Sequence, residues 1–306
     1  MKIAIVGSGA LGSLLAALFS KAKADAVLFS RSKERADKIE REGINVEGAA
    51  GKWKARVKAS SSFAGISGAG VVFLCVKSYD TKNAVSSFSP YLAKDAVVIS
   101  LQNGLGNIEV ISEAVDETRV IGGVTNIGAT LLEDGGVRYA GKGETVIGRT
   151  DGKVTAEMRP IRELFSSCGL ELRISREIKN IIWSKLVLNA GINALSAVLR
   201  LPNGALVKSE GARRIMRAAV TEAVRVAKRK RIKLAYDDPL AKAEAVCEST
   251  AANISSMLQD ILAGRRSEID AINGAIIRIA QESGIPVPVN ILLNDMVKSI
   301  EDNYAG

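Results

Sequence analysis

Lys2-Ile3-Ala4-Ile5-Val6-Gly7-Ser8-Gly9-Ala10-Leu11-Gly12 is the stretch on which the fold turns. A short apolar strand, Lys2 to Val6, runs into a Gly-x-Gly-x-x-Gly turn, and the turn opens a helix over Ala10 to Lys21. The order of parts carries the meaning. The first glycine permits a tight turn, the second lets the backbone come close to a pyrophosphate, and the third allows the helix to pack near the strand. Unpaired N–H groups and the positive end of the helix dipole then face the phosphates. Gly7, Ser8, Gly9, Ala10, Leu11 and Gly12 are therefore expected to bind a dinucleotide.

About twenty residues beyond such a turn, an acidic residue reads a free ribose 2′-hydroxyl and a cation suits a 2′-phosphate. This chain has Phe29-Ser30-Arg31-Ser32-Lys33. Arg31 offers a bidentate fork to a phosphate, with Ser30 or Ser32 adding hydrogen bonds, so NADP is expected ahead of NAD. Glu34 leaves NAD open. Ligands in open α/β sheets sit beyond the carboxyl ends of the strands. Lys77, after Val71 to Val76, and Asn103, after Val97 to Leu101, are polar at two such ends. Lys77 is a candidate for the cofactor phosphate or ribose, and Asn103 for the nicotinamide ribose or the substrate. Simple turn chemistry is the alternative for Asn103-Gly104.

Outward from this motif, apolar runs alternate with amphipathic stretches, the pattern of a doubly wound α/β sheet. Strands are expected at Ile3 to Val6, Ala26 to Phe29, Val71 to Val76, Ala96 to Ser100 and Val120 to Gly122. Helices are expected at Ala10 to Lys21, Lys33 to Glu42, Asn83 to Phe88 and Ile108 to Ala114. Val137 to Ala140 and Thr145 to Gly148 read as antiparallel strands closing the sheet, followed by a helix from Thr155 to Cys168 and a strand at Leu172 to Ile174. From Glu177 onward only helical periodicity remains, broken near Pro202-Asn203-Gly204, Asp237-Asp238-Pro239 and Gly264. The expected division is a Rossmann-type domain over 1–175 and an all-α domain over 176–306.

Composition narrows the chemistry. The chain of 306 residues contains no histidine, which removes the usual proton donor of many dehydrogenases and a common zinc ligand. Any acid or base must be Lys, Glu, Asp, Tyr or Cys. Its three cysteines, Cys75, Cys168 and Cys247, are far apart and form no CxxC pair, so reduced thiols and no metal site are expected. No run of eighteen apolar residues and no leader peptide is evident, so a cytoplasmic protein without a membrane partner is expected. The net charge of +9 suits an anionic partner, but the densest run, Arg225 with Lys228 to Arg231 and Lys233, reads as a solvated helix end. Aromatic content of 4% gives no base-stacking platform, so nucleic acid is not expected.

Lys185, Asn189 and Asn193 stand at i, i+4 and i+8 among apolar residues, one polar stripe on a helix. A ligand would supply the partners that such a stripe needs. A lysine against apolar side chains has a lowered pKa, which suits proton donation to a carbonyl being reduced. The structural alternative is a lysine whose amine reaches solvent along the core surface. A second cluster holds Asn253 and Ser256 at i, i+3. Ser267 then reads as an N-cap with Asp270 as its capping-box partner, placing Glu268 in a first helical turn and leaving it between capping and catalysis.

These motifs together resemble the ketopantoate reductases, the 2-dehydropantoate 2-reductases of pantothenate and coenzyme A synthesis. The resemblance rests on Gly7-x-Gly9-x-x-Gly12, Leu101 to Asn107, Trp183-Ser184-Lys185-Leu186 with Asn189 and Asn193, Pro202-Asn203-Gly204, Ser255 to Asp260, and Glu268 to Gly274. It implies a Rossmann domain, a helical domain and an active site in the cleft between them. It further implies Lys185 as general acid and Glu268 as its acidic partner. Ser256 would bind the substrate carboxylate with Asn189, Asn193 and Asn253; Asn103 would contact cofactor and substrate, and Lys77 and Arg31 the cofactor. Asn203 receives no catalytic role. The partner is then a small 2-oxo acid, with a homodimer as a candidate assembly. A related 2-oxo acid or opine-type dehydrogenase is the nearest alternative reading, and a non-catalytic dinucleotide sensor a remote one.

Overall fold

The computed structural model describes residues 1–49 and 51–305. Two compact units emerge, one made of Met1–Gln102 with Asn107–Ile178, the other of Asn103–Gly106 with Lys179–Gly306. The second unit thus borrows four residues from the middle of the first, which no periodicity announces.

In chain order the first unit runs β1 (Ile3–Val6), α1 (Ala10–Lys21), β2 (Ala26–Phe29), α2 (Lys33–Glu42), β3 (Ile44–Gly48), β4 (Trp53–Ala55) and β5 (Lys58–Ser60). It continues through β6 (Val71–Leu74), α3 (Thr81–Phe88), β7 (Val97–Ser100), α4 (Asn107–Ser112), β8 (Val120–Thr125) and β9 (Gly128–Leu131). It ends with β10 (Val137–Gly141), β11 (Thr145–Gly148), α5 (Met158–Ser167) and β12 (Leu172–Ile174). The main sheet has the order β12-β11-β8-β7-β6-β1-β2-β5. All its pairings are parallel except β8 with β11.

Its central strands β1, β6 and β7 are buried at every position because both faces are covered. Ile3, Ile5, Val71, Phe73, Val97 and Ile99 point to one side, where they join Leu14, Leu15 and Phe19 of α1 and Met158, Ile161 and Phe165 of α5. Phe19, Phe73 and Phe165 meet there with ring centroids 5.5 to 5.9 Å apart. Ala4, Val6, Val72, Leu74 and Val98 point to the other side, against Val85 and Phe88 of α3 and Ile111 of α4. Period-two alternation thus splits one strand's residues between two cores.

The expectation that Val137 to Ala140 helps close this sheet is corrected. β10 pairs parallel to β3 and antiparallel to β9 in a separate four-stranded sheet, β4-β3-β10-β9. That sheet packs over α1. Ile44, Val46, Ala55, Val137 and Tyr139 share the α1 core, and every residue from Gly12 to Phe19 is buried. A helix apolar all round needs cover on all sides. Each fully buried Leu or Phe here contributes roughly 1.5–3 kcal/mol. Thr145 to Gly148 does join the main sheet antiparallel, as expected.

The second unit is helical: α6 (Ile178–Leu199), α7 (Asn203–Lys208), α8 (Glu210–Arg229), α9 (Pro239–Ser249), α10 (Ser256–Leu262), a 3-10 turn at Ile269–Ala271, α11 (Asn273–Glu282) and α12 (Pro288–Asp302). Asp238 caps α9 by accepting from the N–H groups of Leu240 and Ala241, with Pro239 at the first helical position. Helix α6 is long and apolar enough to cross a membrane, yet 72% of its most apolar window is buried within the protein. It is the central helix of this unit's core. Gly191 lets it approach α8 closely: a Cβ there would lie 2.6 Å from Val220 Cγ2. Lys228 to Arg231 lie exposed on the last turn of α8 and just beyond it.

Candidate active site

In the first unit, the three glycines of the turn divide their labour as the spacing implies. Gly7 has φ +114°, and a Cβ there would lie 2.7 Å from the Val76 nitrogen. Gly12 sits so close under the Gly7 carbonyl that a Cβ would collide with it. At Gly9 a Cβ would meet nothing within 4 Å. Gly9 is the N-cap of α1, and no side chain caps that helix. Packing therefore explains the outer two glycines but not the middle one, whose open side faces the helix terminus where a pyrophosphate fits.

Two neighbouring segments are braced around this turn. Ser8 Oγ donates to Ser30 Oγ at 2.9 Å. Ser32 is occupied, since its hydroxyl accepts from the Arg35 N–H as the N-cap of α2. Arg31 extends into solvent, its side chain 85% exposed, and pairs with Asp80 at 3.2 Å. A 2′-phosphate would have to compete with that carboxylate for the guanidinium. Lys77 is half-buried in the loop after β6, and its carbonyl accepts from the Asp80 N–H at 2.9 Å. Gln102 holds this loop to the end of β7: its Oε1 accepts from Ser100, and its Nε2 donates to the Val76 carbonyl at 3.0 Å and to Thr81 Oγ1 at 2.7 Å. This bracing was not legible in the sequence, because Val76 and Thr81 lie more than twenty residues upstream of Gln102.

In the second unit, the polar stripe of α6 is real. Lys185 and Asn189 are half-buried and Asn193 is buried, while Trp183, Leu186, Val187, Ala190 and Leu195 face the core. Burial pushes the Lys185 pKa down to about 8, and the charge of Glu268 opposes that shift without cancelling it. Glu268 is itself buried, and its Oε2 accepts from Asn103 Nδ2 at 3.3 Å. The segment Asn103–Gly106 reaches this position through its backbone. Gly104 has φ +86°, a Cβ there would lie 2.6 Å from that of Ala271, and the Leu105 N–H donates to the Ala271 carbonyl at 2.9 Å. Lys185, Glu268 and Asn103, far apart in sequence, thus form one polar group.

The capping box expected at Ser267 is not formed. Ser267 Oγ accepts from the Ile269 N–H at 3.3 Å, a local turn, and Glu268 is the residue before a single 3-10 turn rather than inside an α-helix. Asp270 pairs outward with Lys298 at 2.7 Å and Arg266 at 3.1 Å. Glu268 makes no capping bond.

Asn253 and Ser256 do not share a helical face, because α10 begins only at Ser256. The structural reason is the N-cap: Ser255 Oγ accepts from the Leu258 N–H at 3.1 Å, which ends the helix backward at that residue. Ser256 is exposed in the first turn, and Asn253 is exposed in the preceding loop. Both are nonetheless positioned. Ser196 Oγ lies 2.5 Å from Ser255 Oγ and donates to the Asn193 carbonyl, tying α10 to the stripe on α6. Asn203 donates through its backbone N–H to the Asn253 carbonyl at 2.9 Å and through Nδ2 to Thr250 at 2.9 Å. The Pro202-Asn203-Gly204 turn therefore shapes the Asn253 loop. Ser196 was invisible in the sequence, although it continues the stripe one turn past Asn193.

A mainly parallel sheet with a glycine turn at its first helix, joined to a helical unit that buries an ammonium beside a carboxylate, defines a Rossmann-type oxidoreductase. The chain matches the family described as "Ketopantoate reductase PanE/ApbA" over residues 3–152 and its C-terminal counterpart over 177–301. It is 36% identical over 306 residues to a 2-dehydropantoate 2-reductase of Pyrococcus horikoshii, covering 100% of this chain and 99% of that one. It is 34% identical over 299 residues to the corresponding enzyme of Halobacterium salinarum, covering 97% and 98%. A crystal structure of a PanE/ApbA family ketopantoate reductase from Ralstonia eutropha superposes with TM-score 0.92 at 35% identity, covering 100% of both chains. D-mandelate dehydrogenase with NADH and anilino(oxo)acetate superposes with TM-score 0.93 at 25% identity, again over 100% of both chains. This chain belongs to the ketopantoate reductase family.

Proposed function

We propose that the protein reduces 2-dehydropantoate to pantoate with NADPH, a step of pantothenate and coenzyme A synthesis. The observation that carries this reading is the Lys185 amine, buried on the α6 stripe and held near pKa 8 beside Glu268. When bound, the cofactor supplies the hydride that attacks the C2 ketone. Gly7, Ser8, Gly9, Ala10, Leu11 and Gly12 hold its pyrophosphate, Arg31 the 2′-phosphate, and Lys77 and Asn103 its ribose portions.

Lys185 donates a proton from Nζ to the ketone oxygen as C2 gains the hydride, leaving a neutral amine that solvent reprotonates. Its positive charge also stabilises the developing alkoxide. Glu268 keeps the amine protonated and oriented, and Asn103 fixes Glu268 through its amide. Ser256, Asn189, Asn193 and Asn253 bind the carboxylate and hydroxyl of the substrate. The donor must be protonated, so turnover in the reductive direction is level below the Lys185 pKa and falls as pH rises through about 8.

The test is NADPH consumption by the purified protein across a panel of 2-oxo acids. A specificity constant highest for ketopantoate supports the reading. Preference for another 2-oxo acid favours the related dehydrogenases, to which the likeness to D-mandelate dehydrogenase already points. Equal use of NADH would remove the role given to Arg31.

A further inference from the structure

Within Glu268 to Gly274, the proposed chemistry leaves one buried polar residue without a task. Asn273, fully buried at the start of α11, donates from Nδ2 to the Ala190 carbonyl at 3.0 Å and to Asn290 Oδ1 at 3.0 Å. Asn290, fully buried in the first turn of α12, donates from its own Nδ2 to Glu222 Oε2 at 2.7 Å and to the Ala219 carbonyl at 3.1 Å. Glu222, buried on α8, also accepts from the Val289 and Asn290 N–H groups at 3.0 and 2.9 Å, capping α12.

The chain of bonds has a single sense. An ionised carboxylate and a backbone carbonyl only accept, so Asn290 can turn only its NH2 group toward Glu222 and Ala219. Its oxygen must then face Asn273. Asn273 in turn has one orientation, with its NH2 group between Asn290 and Ala190. The two ends of this relay are informative. Ala190 directly follows Asn189 on the helix that carries Lys185, and Asn273 follows Glu268 by five residues with one 3-10 turn between them. A bond from Asn273 to the α6 backbone therefore sets where the lysine helix lies against the segment bearing its carboxylate partner.

We propose that Asn273 is a positioning residue for the reaction, oriented by Glu222 through Asn290, and that it fixes Lys185 relative to Glu268. This rests on the reading of Lys185 as proton donor. A network that merely stabilised the core would lower the melting temperature when broken but leave the titration of Lys185 where it is.

Two readouts separate these cases: the titration of Lys185 followed by NMR of nitrogen-labelled lysine side chains, assigned with Lys185→Arg, and the pH dependence of kcat and KM. In Asn273→Ala, kcat should fall about 10- to 100-fold with KM for NADPH unchanged, the effect of a small misplacement at the reacting atoms. The Lys185 midpoint should rise by about half a unit or more as water reaches the amine and relieves its desolvation. Glu222→Gln is the milder variant and serves if Asn273→Ala does not fold; its amide can present its NH2 group to Asn290 and reverse the relay, so it should move both readouts the same way. An unchanged Lys185 midpoint and kcat in a folded variant overturns the proposal. A midpoint that moves while kcat and its alkaline limb stay put upholds the geometric relay and instead overturns Lys185 as the proton donor.

Discussion

Gly7 to Gly12, the proposed phosphate turn, takes its shape within six residues through backbone conformation alone: a positive φ, a close approach and an open helix terminus. Lys185, Glu268 and Asn103 come together by folding, Glu268 lying 83 residues after Lys185 and 165 after Asn103 in sequence. In the first region the chemistry belongs to the main chain, and side chains matter mainly by being small. In the second it belongs to side chains whose properties exist only once the helices are packed. A backbone site tolerates change in its surroundings; a packed site does not.

The strongest way to break this contrast is Lys185→Ala. Removal of the proposed general acid should lower kcat by about 10²- to 10⁴-fold, abolish the alkaline limb near pH 8, and leave NADPH binding by calorimetry nearly intact. A comparable loss of NADPH affinity would mean that the two regions are not separable.

Gly104→Ala comes next. A left-handed residue with a Cβ costs about 1–2 kcal/mol, and here the Cβ also meets Ala271. The Asn103 amide should shift off Glu268, lowering kcat/KM by about 10- to 100-fold and reducing thermal stability. Unchanged kinetics would show that Asn103 does not need this turn.

Gly9→Ala should do the converse in the first unit. Its Cβ touches no protein atom, so stability falls by about 1 kcal/mol at most, the cost of Ala in place of Gly at an N-cap. NADPH affinity should fall about tenfold as the methyl intrudes on the phosphate, a loss of charge-assisted bonds. Wild-type affinity would place the pyrophosphate elsewhere. The smallest effect belongs to Arg31→Ala, because an exposed guanidinium already paired with Asp80 gives up little. KM for NADPH should rise by about two- to fivefold, within the range of exposed charge pairs, and KM for NADH should hardly move.

The same contrast explains how much could be read beforehand. Strands β1, β2, β11 and β12 and helices α1 and α2 have the bounds that apolar runs and turn residues imply, since local pattern decides them. The four-stranded sheet was misread because β3 and β10 lie some ninety residues apart, and no periodicity states which sheet a short strand will join. Lys185 was legible as an anomaly, a charge in an apolar helix. The downward direction of its pKa was legible too, but not the extent, which depends on the burial of the folded helix and on the opposing charge of Glu268. Ser267 and Asp270 carry the letters of a capping box, but Lys298 and Arg266 draw Asp270 away. Local propensity lost there to tertiary charge pairing.

The loan of Asn103 to Gly106 to the helical unit bears on how the molecule can be taken apart. A fragment beginning at residue 179 would lack Leu105, which packs on that unit's core, and would leave the Ala271 carbonyl without its donor. If the proposed substrate residues set preference, it cannot be exchanged between relatives as a simple C-terminal cassette. A chimera has to carry the short tetrapeptide from the donor along with the helices, and junction design should treat the two as a single inherited module.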